Sequence, residues 1–370
     1  MSDTPVPAHL SDLLELFPLP GRYVSAAPYG SGHINDTFVV NCTAPSGQPR
    51  RYIAQRINHH IFKNVPALME NVQRVTAHLA QKSGPHSRQL TLIPTRNGEA
   101  CARDVDGGWW RIYDFIEGAH TVDRVTNEAE AREAARAFGD FQAELADLPG
   151  GRLQETIPNF HHTRGRFENF RRAVTENTAG RAGEVQAEID FAFSREADAD
   201  VLLNLLAQGK VSERVTHNDT KINNVMLDDV TKRAIAVIDL DTVMPGLPLY
   251  DFGEMMRTSA SSTLEDDPDA THMRLELPLF KVLVEGYLSS AVGNVLNATE
   301  RNQLGFAGKL MSYENGLRFL TDYLQGDTYY KIKHPRHNLD RCRTQFALVR
   351  SIEAQTGEID HILATQAARA

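Results

Sequence analysis

Asp219, Asn224 and Asp239 carry side-chain oxygens at a spacing that suits transfer of a phosphoryl group. That chemistry asks a protein mainly to orient an acceptor hydroxyl and to hold Mg²⁺ against nucleotide phosphate oxygens. Within His217-Asn218-Asp219-Thr220-Lys221-Ile222-Asn223-Asn224, Asp219 fits the first task. Asn224 offers a neutral amide oxygen, and Asp239 in Val237-Ile238-Asp239-Leu240-Asp241 offers a carboxylate; both are hard ligands suited to Mg²⁺. Asp241 is either a second metal ligand or a bracing carboxylate. His217 reads as a hydrogen-bonded brace of the turn, and Lys221 either balances charge near the phosphate or contacts solvent.

These groups need a scaffold that returns the chain on itself. Two apolar runs, Val225-Met226-Leu227 and Ala234-Ile235-Ala236-Val237-Ile238, flank the polar stretch 228–233, which predicts a β-hairpin with Asn224 and Asp239 at the same end. Upstream, strand-like runs recur at Phe38–Cys42, Arg51–Arg56, Thr91–Pro94 and Trp109–Tyr113. One helix interrupts them: Leu68, Val72, Val75 and Leu79 recur at three- and four-residue intervals. After Gly118 the pattern becomes mainly helical. The expected class is α+β, with a small sheet-rich lobe over residues 1–116, a larger mainly helical lobe over 117–370, and a ligand cleft at their junction.

Gly30 and Gly32 sit in a polar turn before an apolar strand, where glycines let backbone N–H groups approach phosphates. No GxxxxGK[ST] sequence accompanies them, which excludes a P-loop. His33, Asn35 and Asp36 either cap this turn or hydrogen-bond a polyhydroxylated acceptor or the nucleotide. Kinases usually place a phosphate-binding lysine on the third strand; here that strand reads Ile53-Ala54-Gln55-Arg56, with Gln55 at the expected place. The connector Phe115-Ile116-Glu117 supplies backbone groups for an adenine edge.

The 370 residues are 41% apolar and 24% charged, ordinary for a globular protein with a sizeable core. A formal charge of −9 argues against a nucleic-acid backbone or an anionic membrane as partner. Cys42, Cys101 and Cys342 are too few and scattered for a disulfide framework or zinc site. No stretch reaches the roughly 18 apolar residues of a membrane span. A soluble, cytoplasmic protein with small-molecule partners is expected, as monomer or homodimer.

HNDTKINN followed by VIDLDTVMPGLPLYDFG resembles the HxDxxxxN and IDxD pattern of the aminoglycoside phosphotransferase and choline kinase-like superfamily. Within it, GSGHINDTF, RYIAQRIN, WWRIYDFIE, AFGDFQ, LEDD and ENGLRFLTDYLQGD are similar to the N-acetylhexosamine 1-kinase group. The resemblance implies a protein-kinase-like bilobal fold, ATP and Mg²⁺ as cofactors, Asp219 as base, Asn224 and Asp239 as metal ligands, and a glycine loop covering the phosphates. It further implies phosphorylation of the anomeric hydroxyl of N-acetylglucosamine or N-acetylgalactosamine. Arg318, Asp322 and Tyr323, on one predicted helix, then become candidate sugar ligands; the competing reading of Arg318 and Asp322 is an i,i+4 salt bridge. Aspartate 251 reads as a brace of the catalytic loop. Two alternatives are a kinase of another small hydroxyl compound (an aminoglycoside, choline or ethanolamine, homoserine) and a nucleotide-binding pseudokinase, against which Asp219 and Asp239 both speak.

Overall fold

The computed structural model describes residues 5–30, 32, 34–82 and 88–367. In chain order the elements are α1 (Leu10–Leu14), β1 (Arg22–Pro28), β2 (Asp36–Thr43), β3 (Pro49–Ile57), α2 (Val65–Lys82), β4 (Leu92–Ile93), β5 (Ala102–Arg103), β6 (Trp109–Asp114) and β7 (Ala119–His120). There follow α3 (Glu128–Glu144), α4 (Thr163–Glu176), α5 (Gln186–Phe193), α6 (Val201–Ala207), β8 (Arg214–Thr216), β9 (Val225–Asp228), β10 (Ala234–Val237) and β11 (Met244–Gly246). Helices α7 (Pro248–Ser259), α8 (Leu277–Ser289), α9 (Ala298–Asn302), α10 (Leu304–Leu324), α11 (His337–Ala354) and α12 (Thr356–Ala367) complete the chain.

Two compact units result, and their limits differ from a single cut after Ile116. The first comprises residues 1–123, 144–158 and 225–244, and the second the remainder. The β9–β10 hairpin groups with the first unit because β7 pairs with β9, Ala119 opposite Asp228 and His120 opposite Leu227.

The first unit is built on an antiparallel sheet of order β1-β2-β3-β6-β4, with β5 also on β6. Alternation along the strands sorts its two faces. Phe38, Val40, Cys42, Tyr52, Ala54, Trp110 and Ile112 point to one face and pack with Leu10, Leu13 and Leu14 of α1 and with Phe17. The intervening positions Thr37, Gln55 and Arg111 stand opposite one another on the other face, as do Val39, Ile53 and Tyr113. That second face carries the polar groups. Helix α2 buries Val65, Leu68, Met69, Val72 and Val75, the stripe its period predicts. The hairpin forms where two apolar runs and a polar turn require it: Val225 pairs with Val237 and Leu227 with Ala234, while Asp228 accepts the turn amides of Val230 and Thr231 at 3.1 and 2.8 Å.

The second unit centres on α10, buried along nearly its whole length against α4, α5 and α11 through Phe167, Phe170, Ile189, Tyr313, Leu317, Leu320 and Phe346. Helix α7 also lies close to α10. A Cβ at Gly253 would stand 2.5 Å from the Ala307 carbonyl oxygen, so glycine there sets the approach that fixes α7.

Candidate active site

Strand β8 delivers the chain into the 217–224 loop, and the loop hangs on Asp251 of α7. The fully buried Asp251 carboxylate accepts the amides of His217 at 2.9 Å and Asn218 at 2.7 Å, together with the Gln142 side chain. Tyr287 donates its hydroxyl to Gln142 at 2.6 Å, and Thr220 donates to the Asp251 carbonyl at 2.6 Å. Asn218 takes φ = 64°, a left-handed conformation that asparagine tolerates better than most residues. Its carbonyl is held by His161 Nε2 at 2.9 Å, while His161 Nδ1 lies 2.9 Å from Glu314. A histidine between two acceptors satisfies both only as imidazolium. Burial opposes that charge, but the Glu314 carboxylate outweighs it and the His161 pKa is raised.

Asp219 projects from this braced loop. Its Oδ1 lies 2.9 Å from Lys221 Nζ, and Asn224 donates its amide to the Asp219 carbonyl at 2.8 Å and to Oδ2 at 3.3 Å. Burial works against the carboxylate, yet Lys221 and then His217 hold its pKa below the usual value. It is therefore ionised at neutral pH. The Asn224 Oδ1 atom makes no hydrogen bond among the described residues, so a hard oxygen is left for a cation. His217 packs edge-on against Phe138 and Phe141, with ring centroids 5.3 and 5.7 Å away, and its Nδ1 accepts the Asp219 amide at 3.3 Å. Replacing Asp251 by alanine would orphan two buried amides and the Gln142 side chain. We expect about 3 kcal/mol of destabilisation in urea unfolding and at least ~10-fold lower kcat in the folded fraction.

In the first unit, the face of the sheet that carries Gln55 holds a polar cluster. Gln55 donates to Thr37 Oγ1 at 3.0 Å and accepts from Arg111 Nε at 3.0 Å. Arg111, 1% exposed, pairs with the equally buried Asp241, and Thr156 donates to the Asp241 backbone carbonyl at 2.7 Å. Asn35 spends both ends of its amide here, donating to Asp241 at 2.6 Å and accepting the Asn58 amide at 3.0 Å. Asn35, expected either to cap the turn or to contact an acceptor or the nucleotide, thus ties the glycine turn to Asp241, both of whose carboxylate oxygens accept hydrogen bonds. Asp36 pairs with Arg56 at 2.6 Å, on the face opposite Gln55. Gly30 takes φ = 82°, and added Cβ atoms at Gly30 and Gly32 would meet nothing within 4 Å among the described residues. His33 lies outside the described residues. Arg51 ion-pairs with Glu117 and stacks 3.8 Å from the Phe115 ring, so those side chains serve the connector itself.

Of the three α10 candidates, only Arg318 keeps an open guanidinium. It lies 5.7 Å from the ring centroids of both Phe160 and Tyr330, touches Asn315 at 3.4 Å, and forms no ion pair among the described residues. The Arg318–Asp322 salt bridge is absent because Asp322 accepts the Tyr329 and Tyr330 amides at 2.8 and 2.9 Å and Asn338 at 2.8 Å, anchoring that segment. Tyr323 turns into the helical core, with Arg181 4.6 Å from its ring centroid. Sequence reasoning missed Arg166, whose buried Nε has no partner and whose charge is opposed by burial and by neighbouring Arg318. It also missed Arg111, although an arginine inside the apolar run Trp-Trp-Arg-Ile-Tyr demands a buried partner.

An antiparallel sheet unit with a glycine turn, and a helical unit whose 217–224 loop hangs on a buried aspartate, make up a protein-kinase-like fold. The chain belongs to the phosphotransferase enzyme family, whose sequence profile matches residues 25–283. Among solved structures, an aminoglycoside phosphotransferase from Alicyclobacillus acidocaldarius is similar at TM-score 0.59 and 14% identity, with 98% of each chain covered. A microcompartment-associated aminopropanol kinase is similar at TM-score 0.56 and 15% identity, covering 95% of this chain and 98% of that one. A choline kinase from Streptococcus pneumoniae is similar at TM-score 0.53 and 13% identity, covering 90% and 94% respectively. At these identities the likeness is one of fold. Among the described residues, no helix is long and apolar enough to cross a membrane.

Proposed function

We propose that this enzyme transfers the γ-phosphate of ATP to the anomeric hydroxyl of an N-acetylhexosamine, giving the sugar 1-phosphate and ADP. The observation that carries the chemistry is Asp219, ionised beside Lys221 and donor-bonded by Asn224 in a loop whose amides are fixed by Asp251. Asp219 would orient the acceptor hydroxyl and take its proton. Asn224 precedes Val225, which pairs with Val237, and Asp239 follows two residues later; an amide oxygen and a carboxylate at the open end of one hairpin suit Mg²⁺. That ion, when bound, would neutralise nucleotide phosphate charge. In the connector, the Phe115 amide is bonded to the Arg51 carbonyl and the Glu117 carbonyl to Arg88. Among the described residues the Phe115 carbonyl and Glu117 amide make no backbone hydrogen bond, which would leave them as acceptor and donor for an adenine edge.

The acceptor rests on resemblance and on charge. Arg318 and Arg166 lack carboxylate partners among the described residues, which disfavours a cationic acceptor such as choline. The acidic run is committed elsewhere: Asp266 to Lys333, Asp267 to Thr263 and Asp269 to Thr271. No cationic cage is left among them. Release of ADP from Mg-ATP should be measured with N-acetylglucosamine, N-acetylgalactosamine, choline, homoserine and an aminoglycoside. We expect turnover with the two sugars at least ~10-fold above the cationic compounds, because a buried cation pair penalises a like charge. Turnover confined to choline, homoserine or the aminoglycoside would replace the sugar reading with another acceptor of the same chemistry.

A further inference from the structure

The third strand of a kinase sheet usually supplies a lysine to the nucleotide phosphates. Here that place belongs to Gln55, an uncharged side chain, and the charge stands one strand over. Arg111 of β6 is directly opposite Gln55 in register and is bonded to it at 3.0 Å. Its Nε serves Gln55 and its Nη1 serves Asp241, while Nη2 has no hydrogen-bond partner among the described residues. Two residues along the same face, Tyr113 is 2% exposed and its buried hydroxyl has no partner among the described residues. The Arg111 guanidinium carbon lies 5.3 Å from the Tyr113 ring centroid. Asp239, the expected metal ligand, is near enough to act on the charge of both groups.

A buried phenol without an acceptor is a rare and costly arrangement in a folded protein, and beside it Arg111 keeps one nitrogen uncommitted among the described residues. Both are donors, both lie on the face of the sheet that holds Asp241, and Asp239 is close by. An anion there would complete both.

We propose that Arg111, with the Tyr113 hydroxyl beside it, is the phosphate-binding cation of this enzyme, doing from β6 what a lysine does from β3 in other kinases. Asp241 is its anchor. The pairing has a physical logic: a planar guanidinium can bond Gln55 and Asp241 with two nitrogens and still present a third to a phosphate oxygen, which an ammonium held by the same two partners could do only less rigidly. This inference rests on ATP being the phosphoryl donor.

Binding of ADP, AMP and adenosine measured by calorimetry on the full chain tests it. Removing Arg111 alone would leave Asp241 buried and unpaired, so the variant is the double substitution Arg111→Met with Asp241→Asn. We expect ADP to bind at least ~10-fold more weakly while adenosine is unchanged, because the missing donors face phosphate and not base or ribose. A double variant that folds and binds ADP as tightly as the parent overturns the proposal. Tyr113→Phe provides a second reading that does not depend on the double variant folding. It deletes an unsatisfied hydroxyl, so it should leave the melting temperature unchanged or raise it, yet weaken ADP by about 3–10-fold. A purely structural tyrosine would show no change in ADP affinity, and that result also counts against the proposal. Failure of the unsubstituted parent to bind ADP or Mg-ATP would instead defeat ATP as donor, a different outcome read in the same titration.

Discussion

Asp219→Asn is expected to lower kcat at least ~100-fold while ADP affinity and the unfolding midpoint stay near those of the parent. The asymmetry follows from what the carboxylate touches. Asp219 contacts Lys221 and Asn224, and the loop around it is held by Asp251 and His161 through other atoms. An asparagine keeps the shape and one acceptor oxygen but cannot take a proton. Its partner offers a graded control. Lys221 is the first group that lowers the Asp219 pKa against the opposing effect of burial, so Lys221→Met should move the acid limb of the kcat/KM profile to higher pH. The sign is fixed: with the lysine gone the carboxylate binds its proton more tightly, and activity is lost at a higher pH as the medium is acidified. An Asp219→Asn enzyme with unchanged kcat would remove the base from the mechanism. An unshifted acid limb in Lys221→Met would show that the ion pair does not tune it.

The parts of this site that could be read in the sequence are those made by short-range order. Asn224, the 225–238 hairpin and Asp239 lie within one supersecondary unit, so spacing and hydrophobic alternation place them. The strands around Phe38, Tyr52 and Trp110 declare themselves by period, and α2 by its stripe of Leu68, Val72 and Val75. What escaped was made by long-range pairing. Arg111 meets Asp241 across 130 positions, and Asn35 meets it across 206; neither pairing leaves a local pattern. Asp322 was read as a ligand or an intrahelical ion pair because helical spacing puts it beside Arg318. The competing demand came from two backbone amides at Tyr329 and Tyr330, which need an acceptor when the chain turns back on α10. His161 and Glu314, 153 positions apart, brace Asn218 from outside the motif, and nothing near His161 in the sequence signals a role. Side chains whose task is to hold others become visible only when the fold brings their partners.

Arg257→Met should destabilise the protein by about 3–5 kcal/mol at neutral pH, the usual cost of removing one partner from a buried ion pair. Arg257 is 4% exposed and binds Glu254 at 2.5 and 2.9 Å and Glu265 at 2.5 Å, while Arg341 holds Glu265 from the other side. Burial would raise the Glu265 pKa, but Arg257 and then Arg341 overcome it and bring it from 4.5 down to about 2. A depressed carboxylate contributes stability that is fully present above pH 4.5 and is lost as pH falls towards 2, so the parent should become progressively less stable across that window. The variant behaves differently. Without Arg257, Glu265 relieves its charge by taking up a proton at higher pH, and the stability gap between parent and variant should shrink on acidification. Urea unfolding at pH 7 and pH 4 measures it; a gap that stays constant or widens would mean that the arginine stabilises by packing alone. The cluster also reaches the chemistry: Glu254 is among the groups that support the charge of Lys221, the residue that keeps Asp219 ionised. In the refolded variant, kcat should therefore fall more than ADP affinity, because the network borders the 217–224 loop of the second unit while the proposed phosphate donors lie on the sheet of the first.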